Sequence, residues 1–369
     1  MTPQSDVELA PFSTMHVGGP ARWFFEAHSE SHVVNALQWA AARDLSVHIL
    51  GGGSNIVVSD AGFDGLVIKV SMRGVDFRSV GSQTIFDVAA GEPWDPLVAR
   101  TVELNCAGVE CLSGIPGLVG GTPVQNVGAY GQDVSGVITR VHVVDRRRGQ
   151  PIALSNEDCV FGYRTSRFKG EDAGRFVVTR VEFALTPGGK PTISYADLIS
   201  SLEQPHVARP SLADVRDAVL QIRRRKGMVI EDDNPANRSC GSFFVNPVVP
   251  AANLCRVRSI SGSADVPHFA LHDKQVKIPA AWLIERAGFP RGFTRGRVGI
   301  SPFQSQAIIN LGGATAGDVL ALAGDVKRAV WNTFGISLVP EPVFVGFPPS
   351  SDVRWLITHL RADAHEAKG

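Results

Sequence analysis

Hydrophobic and polar positions alternate between two periods along this chain. Over residues 29–44, Val33, Val34, Leu37, Ala40 and Ala41 recur at helical spacing behind Ser29 and Ser31, either of which suits a helix N-cap. Short apolar runs at 47–50, 56–58 and 66–70 each predict a strand, so the opening reads as a small βαβ-like unit that ends where polarity rises over 72–80. A second block, to about residue 187, offers a strand at 85–89, a helix at 94–105, and strands at 137–144, 151–154 and 176–185. The RRRG run at 146–149 lies between two of those strands and reads as a solvated hairpin turn. Residues 211–228 predict a helix with Val215, Ala218, Val219 and Ile222 on one face and Ser211 with Asp214 in capping-box positions. A third block supplies helices at 279–287 and 316–334 and strands near Ile308 and Val343, and the tail after Pro348 is expected to be partly helical or disordered.

Composition narrows the picture. At 369 residues the chain exceeds what one hydrophobic core usually organises, so two or three domains are expected. Lys plus Arg and Asp plus Glu both total 36, which removes any global electrostatic attraction to nucleic acid or an anionic membrane and favours a small partner. The acidic N-terminal stretch lacks a basic and apolar leader pattern, so a cytoplasmic protein is expected. Residues 111–132 form a charge-free run of 22, but its six Gly and two Pro suit a loop-rich core segment and not a membrane span. Five scattered cysteines (Cys106, Cys111, Cys159, Cys240, Cys255), with no C-x-x-C pair, predict neither disulfides nor a metal site and read as small buried hydrophobes.

Two glycine-rich segments look built to carry backbone amides close to a phosphate. One is Gly51, Gly52, Gly53, Ser54 and Asn55; the other is GIPGLVGGTPVQNVGAYG at 114–131. Glycine permits positive φ and close approach, and consecutive N–H groups form an anion-binding nest. GGGSN alone is equally a tight turn after a strand, and because it opens into a strand and not a helix the dehydrogenase fingerprint is excluded. Taken together, the two segments resemble the FAD-binding domain of vanillyl-alcohol-oxidase-type flavoproteins, and within them the UDP-N-acetylenolpyruvoylglucosamine reductases. The likeness runs from about Thr14, in STMHVGGPA, to Gly346. It implies an α+β fold with a two-part FAD-binding region (1–72 and 73–231), a substrate-binding domain (232–346) and a tail (347–369). In the second segment it assigns cofactor contacts to Ile115 and Pro116, to Gly120, Gly121 and Thr122, to Gln125 and Asn126, and to Gly128, Ala129, Tyr130 and Gly131. Neither loop holds a His or Cys to tether a flavin, so the FAD is expected to be noncovalent.

Reducing a double bond that bears a carboxylate needs a hydride, a cation or acid near the carboxylate, and a positioned proton donor. FGYRTSRFK at 161–169 resembles the family's active-site motif, which places Tyr163 with substrate and Arg164 on the carboxylate. RSCGSFFVNP at 238–247 makes Ser242 the proton donor and Asn246 a substrate contact; without the likeness Ser242 reads as a turn residue. VPEPVFVG at 339–346 puts Glu341 at the position of the catalytic glutamate, against the plainer reading of a charge on an edge strand. ISYADL at 193–198 resembles the substrate-lid segment of one subgroup, with Tyr195 on the UDP diphosphate, and Lys226 matches a family lysine near the substrate or nicotinamide phosphate. Arg223 to Arg225 read as cations serving the helix dipole. Gln304 and Gln306 stay unassigned. The resemblance implies a monomeric enzyme, with no obligate protein partner, that uses NADPH as co-substrate to reduce a UDP-sugar enolpyruvyl ether. Two rivals stay open: another flavin oxidase or dehydrogenase of the same fold, and a noncatalytic flavin or nucleotide-sugar sensor.

Overall fold

The computed structural model describes residues 2–203, 209–230, 234, 237–348 and 351–358. The chain divides into two compact units. The first comprises Met1–Val7, Ala21–Gly53 and Asp64–Ile230; the second comprises Glu8–Pro20, Ser54–Phe63 and Glu231–Gly369.

In the first unit a four-stranded sheet runs in the order Gln4–Glu8, Pro20–Ala27, Phe63–Val70, Ser46–Leu50. The last two strands are parallel, with Ser46 opposite Gly65 and Leu50 opposite Lys69. Leu66, Val67 and Ile68 are buried in succession, as expected of a strand covered on both faces. Helix Glu30–Ala41 begins at Ser29, whose side chain accepts from His32 N, and buries Val33, Ala36, Leu37 and Ala40. A larger antiparallel sheet is built around the long strand Phe176–Pro187, which pairs with Ile138–Asp145 on one side and Gln83–Ala89 on the other. One apolar core joins both sheets, from Ala27 and Ile68 through Phe86 to Phe183 and Leu185.

The edge strand Val75–Val80 falls where the sequence shows only rising polarity. An edge strand exposed at every position needs no apolar alternation, so period alone does not reveal it. The hairpin turn at 146–149 is present, with Gly149 N donating to Asp145 O, although Arg146 is partly buried and donates to Gly174 O. Helix Leu212–Arg225 carries the expected capping box and buries Val215, Ala218, Val219 and Ile222 against Cys111, Tyr130 and Leu198.

The second unit is organised by helix Ala316–Phe334, opened by a capping box between Thr315 and Asp318 and closed by Gly335 at φ 66°. Its buried face, including Val319, Leu322 and Val330, shares a core with Phe243, Phe244, Leu283 and Ile300. Two small three-stranded sheets belong to this unit: Thr294–Arg295, Val298–Ile300 and Ile308–Asn310; and Val248–Pro250, Gln275–Lys277 and Phe269–Ala270.

Two expectations change. The 56–58 strand, read as part of the opening βαβ unit, instead pairs in parallel with Val343–Val345, with Val57 opposite Phe344. Residues 8–20 and 54–63, which the 1–72 boundary grouped with the first cofactor segment, contribute Met15, Val17 and Val57 to the second unit's core. The boundary at 231/232 and tail residues 349–350 and 359–369 lie outside the described residues. Cys255 is exposed, against the expectation for all five cysteines, because it sits on a helix, Ala251–Ser261, that buries only Leu254 and Val257; the other four are buried.

Part of the tail is helical, Ser351–Ile357, and is held by a buried lysine. Lys327 is fully buried and donates to the carbonyls of Trp355, Leu356 and Thr358 at 3.0, 2.7 and 2.6 Å. An ammonium supplies three donors, so it satisfies three carbonyls at the helix C-terminus, where intrahelical partners run out. Lys327→Met should therefore cost about 2 kcal/mol, read by chemical denaturation. An unchanged midpoint would show that the helix docks by apolar contact alone.

Candidate active site

The two candidate cofactor loops are held by side chains and by each other. The GGGSN loop contributes Gly51, Gly52 and Gly53 to the first unit and Ser54 and Asn55 to the second. Within the first unit, a Cβ built on Gly52 would lie 2.7 Å from Gly117 Cα, so the two glycine loops meet backbone to backbone. Gly120 packs equally closely: its Cβ would lie 2.6 Å from that of Ala90, and its N–H donates to Ala90 O. Gly51 and Gly121 differ, since a Cβ there meets nothing within 4 Å among the described residues. Close backbone contact behind the loops and open faces on them make a cradle that fits a pyrophosphate.

Asp95 secures the start of the long loop. One carboxylate oxygen accepts from Gly114 N at 2.6 Å and from Arg216 at 2.6 Å, and the other accepts from Arg216 at 2.9 Å. Burial pulls its pKa upward, but the hydrogen bonds from Arg216 and Gly114 and the charge of Arg216 outweigh it and leave the carboxyl below its ordinary value. Farther along, Ser166 donates to Val124 O, and Thr122 is buried with its hydroxyl on Val119 O. Asn126 donates to Gly162 O at 3.1 Å and accepts from Ser135 N at 3.1 Å.

The loop ends in a tight hairpin, with Ala129 opposite Gln132 and Gly128 opposite Asp133. Its turn residues Tyr130 and Gly131 both have positive φ, 50° and 89°, which suits the twist of a two-residue hairpin. Arg164 is a second non-glycine residue with left-handed backbone, at φ 55°, in the turn closed by Gly162 and Thr165. Its guanidinium donates to Gly128 O at 2.8 Å, and Tyr163 beside it is exposed. Side chains rarely tolerate this backbone, and such positions cluster at functional sites.

Tyr195 precedes helix Ala196–Leu202 and meets Tyr130 edge-on, with ring centroids 5.5 Å apart. Lys226 lies at the C-terminus of helix Leu212–Arg225 and donates to Asp197 at 2.7 Å. Burial lowers its pKa, but Asp197 and the neighbouring tyrosines raise it further, so the ammonium is retained. The arginines that precede it divide. Arg224 and Arg225 are exposed, whereas Arg223 is buried, bonds Met228 O and Tyr130, and has its pKa lowered chiefly by burial. The sequence signal for this was available: Arg223 falls four residues after buried Val219, on the apolar face.

In the second unit the chain brings Ser242 and Glu341 onto adjacent antiparallel segments. Glu341 N donates to Phe243 O at 2.9 Å and Val245 N to Val339 O at 3.0 Å. Phe243 and Phe244 are wholly buried and anchor the half-buried Ser242 beside them. Asn55 joins the same place, donating from its amide to Glu341 O at 3.4 Å and accepting from Val343 N at 3.0 Å. Asn246 turns its carbonyl inward, accepting from Ala280 N and from Gln306 Nε2. Gln306, unassigned from sequence, also donates to Phe244 O, so it supports the segment bearing Ser242 and Asn246. Burial, with the charge of Glu341 added, pushes the Cys240 thiol up to about 12. Among the described residues no group of three His, Cys, Asp or Glu side chains is placed to hold a metal ion, and no helix is long and apolar enough to cross a membrane.

A glycine cradle of this kind suits a flavoprotein, and residues 21–155 match the family model described as an FAD binding domain. The fold is α+β, with an FAD-binding domain. Residues 233–345 match the model for the C-terminal domain of UDP-N-acetylenolpyruvoylglucosamine reductase. The chain belongs to the UDP-N-acetylenolpyruvoylglucosamine reductase family. It is 46% identical to the reductase of Thermobifida fusca over 92% of this chain and 97% of that one. It is 44% identical to that of Streptomyces coelicolor, over 92% and 90% respectively. The crystal structure of the Thermus caldophilus enzyme superposes with a TM-score of 0.63 at 25% identity, covering 94% of this chain and 99% of that one.

Gly51→Val and Gly121→Val should fold with unchanged thermal midpoints, because the Cβ each adds meets no described protein atom within 4 Å, yet should purify with little flavin. Full flavin absorbance in both variants would remove these faces from the cofactor. A second expectation concerns pH. Since the Asp95 pKa is depressed in the folded chain, its contribution is complete above the ordinary 3.8 and is lost as pH falls through the lower folded value. Denaturation midpoints of wild type should thus fall below about pH 4 more steeply than those of Asp95→Asn. Parallel curves would show that Asp95 is not what acid releases.

Proposed function

We propose that this chain catalyses NADPH-dependent reduction of UDP-N-acetyl-3-O-(1-carboxyvinyl)-glucosamine to UDP-N-acetylmuramate, a step of peptidoglycan precursor synthesis in the cytoplasm. The observation that carries the assignment of residues is the pairing of the Ser242 and Glu341 segments, closed by Asn55 of the cofactor motif. FAD, when bound noncovalently, supplies the hydride that NADPH provides and the vinyl terminus receives. The carbon bearing the carboxylate then needs a proton, and Ser242 Oγ–H is assigned to donate it. Cys240, two residues away, is a poor substitute, since its thiol is buried.

Arg164 is assigned to the substrate carboxylate, where a planar fork holds both oxygens and stabilises charge that spreads onto them as hydride arrives. Its bond to Gly128 O supports that role by tying the guanidinium to the cofactor hairpin. Glu341 is assigned to hydrogen-bond the carboxylate or the proton donor. Tyr195 and Lys226 are assigned to the UDP diphosphate, with Tyr163 and Asn246 as further substrate contacts. The edge-on contact of Tyr195 with Tyr130 and the closeness of Lys226 to Asp197 support grouping them. The second unit serves as the substrate-binding domain.

Ser242→Ala separates the half-reactions. The variant should bind FAD and be bleached by NADPH at nearly the wild-type rate, whereas recolouring by the enolpyruvyl substrate under anaerobic conditions should slow by about 10²- to 10⁴-fold. Rapid-mixing absorbance reads each step. Equal slowing of both would make Ser242 a positional residue, and a wild-type chain that NADPH fails to bleach would favour the noncatalytic sensor.

A further inference from the structure

A buried carboxylate outside the assigned set joins two parts of the site. Glu110, on the short 3₁₀ turn Glu110–Leu112, is 1% exposed. One of its oxygens accepts from Gly108 N at 2.8 Å; the other accepts from Gln132 Nε2 and from Thr192 N, both at 2.8 Å. Gln132 in turn accepts from Cys111 N at 2.8 Å and donates to Thr192 Oγ1 at 3.0 Å. The Cys111 thiol, which burial and the Glu110 charge keep protonated, with a pKa pushed up to about 12, donates to Thr192 O at 3.2 Å. The N–H, hydroxyl and carbonyl of Thr192 are all engaged by this cluster.

The positions of these partners give the cluster its meaning. Gln132 opens the returning strand of the hairpin, directly opposite Ala129, and Thr192 lies three residues before Tyr195. Between them, a Cβ on Gly131 would collide with the Ser194 side chain, so hairpin and tyrosine segment are packed without slack. On the far side the same segment is held by the Lys226–Asp197 pair, whose side chains are 37% and 49% exposed. An exposed ion pair is a weak restraint, whereas a buried carboxylate with three donors is expensive to disturb. The rigid end of the segment is therefore the Glu110 end.

We propose that Glu110 is a positioning residue for substrate recognition, fixing Tyr195 over the cofactor hairpin through Gln132 and Thr192. The part that concerns substrate rests on the reading of Tyr195 as a diphosphate contact. Only a group that accepts at both oxygens satisfies all three donors; an amide would turn one N–H₂ against an N–H.

Glu110→Gln should speed amide hydrogen exchange over residues 192–198 by about tenfold, with the rest of the first unit unchanged and flavin content full. KM for the UDP-linked substrate should rise about tenfold with kcat within about twofold. In a Tyr195→Phe background the added effect of Glu110→Gln on KM should shrink below about twofold, because both changes act through one contact. Thr192→Val, which keeps the carboxylate, should shift exchange in the same direction by about threefold, and it carries the test if Glu110→Gln fails to fold. Unchanged exchange in the folded variants, loss of flavin, or an equal KM effect in both backgrounds would overturn the proposal. Faster exchange together with an unaltered KM in both Glu110→Gln and Tyr195→Phe would uphold the anchor and remove Tyr195 from the substrate.

Discussion

A long glycine-rich loop with little regular structure cannot be held by helix or sheet hydrogen bonds alone, so side chains from elsewhere must hold it in place. That constraint organises the first unit. Residues 114–131 are pinned by Asp95 at Gly114, by Ser166 at Val124, by Asn126 at Gly162, and by Arg164 at Gly128. One pin comes from the start of a helix and the other three from the single turn at residues 162–166. Asp95 opens helix Trp94–Glu103, and Arg216, which completes its hydrogen bonding, lies on helix Leu212–Arg225. The large sheet and the two helices thus act as a frame for a segment that is short of regular structure.

Holding the loop in this way also delivers chemistry. Asn126 and Arg164 each do two things, fastening the loop and bringing the Tyr163–Arg164 turn against its hairpin. Tyr130 and Arg164, both in left-handed backbone, lie in the two turns that this packing brings together. The second unit meets the same demand with strand pairing. Ser242 is carried by two buried phenylalanines, and Glu341 by the antiparallel run that begins at Val339.

Much of this was legible in the residues. The capping residues Ser29 and Ser211, the amphipathic faces of helices Glu30–Ala41 and Ala316–Phe334, and the apolar runs of the central strands depend on local spacing, which a sequence displays directly. The motifs at 51–55, 114–131, 161–169 and 238–247 likewise pointed to a flavin-binding reductase, and family membership follows from likeness over nearly the whole chain. Helix Ala251–Ser261 and the edge strand Val75–Val80 escaped, because one buries only two residues and the other none.

What the chain's sequence determined by itself was therefore the set of local elements and the chemical vocabulary of the site: glycines for close approach, an arginine, a serine and a glutamate in recognisable strings. Tertiary structure decided which of these meet. The 56–58 strand pairs with Val343–Val345, nearly the length of the chain away, since a three-residue apolar run carries no record of its partner. Arg223 is buried while Arg224 and Arg225 are exposed, and Glu110 closes a polar cluster with Gln132 and Thr192. Hydrogen bonds between distant segments leave no periodic trace. A buried charge is written with the same letter as a solvated one, and only the packing around it fixes what it does.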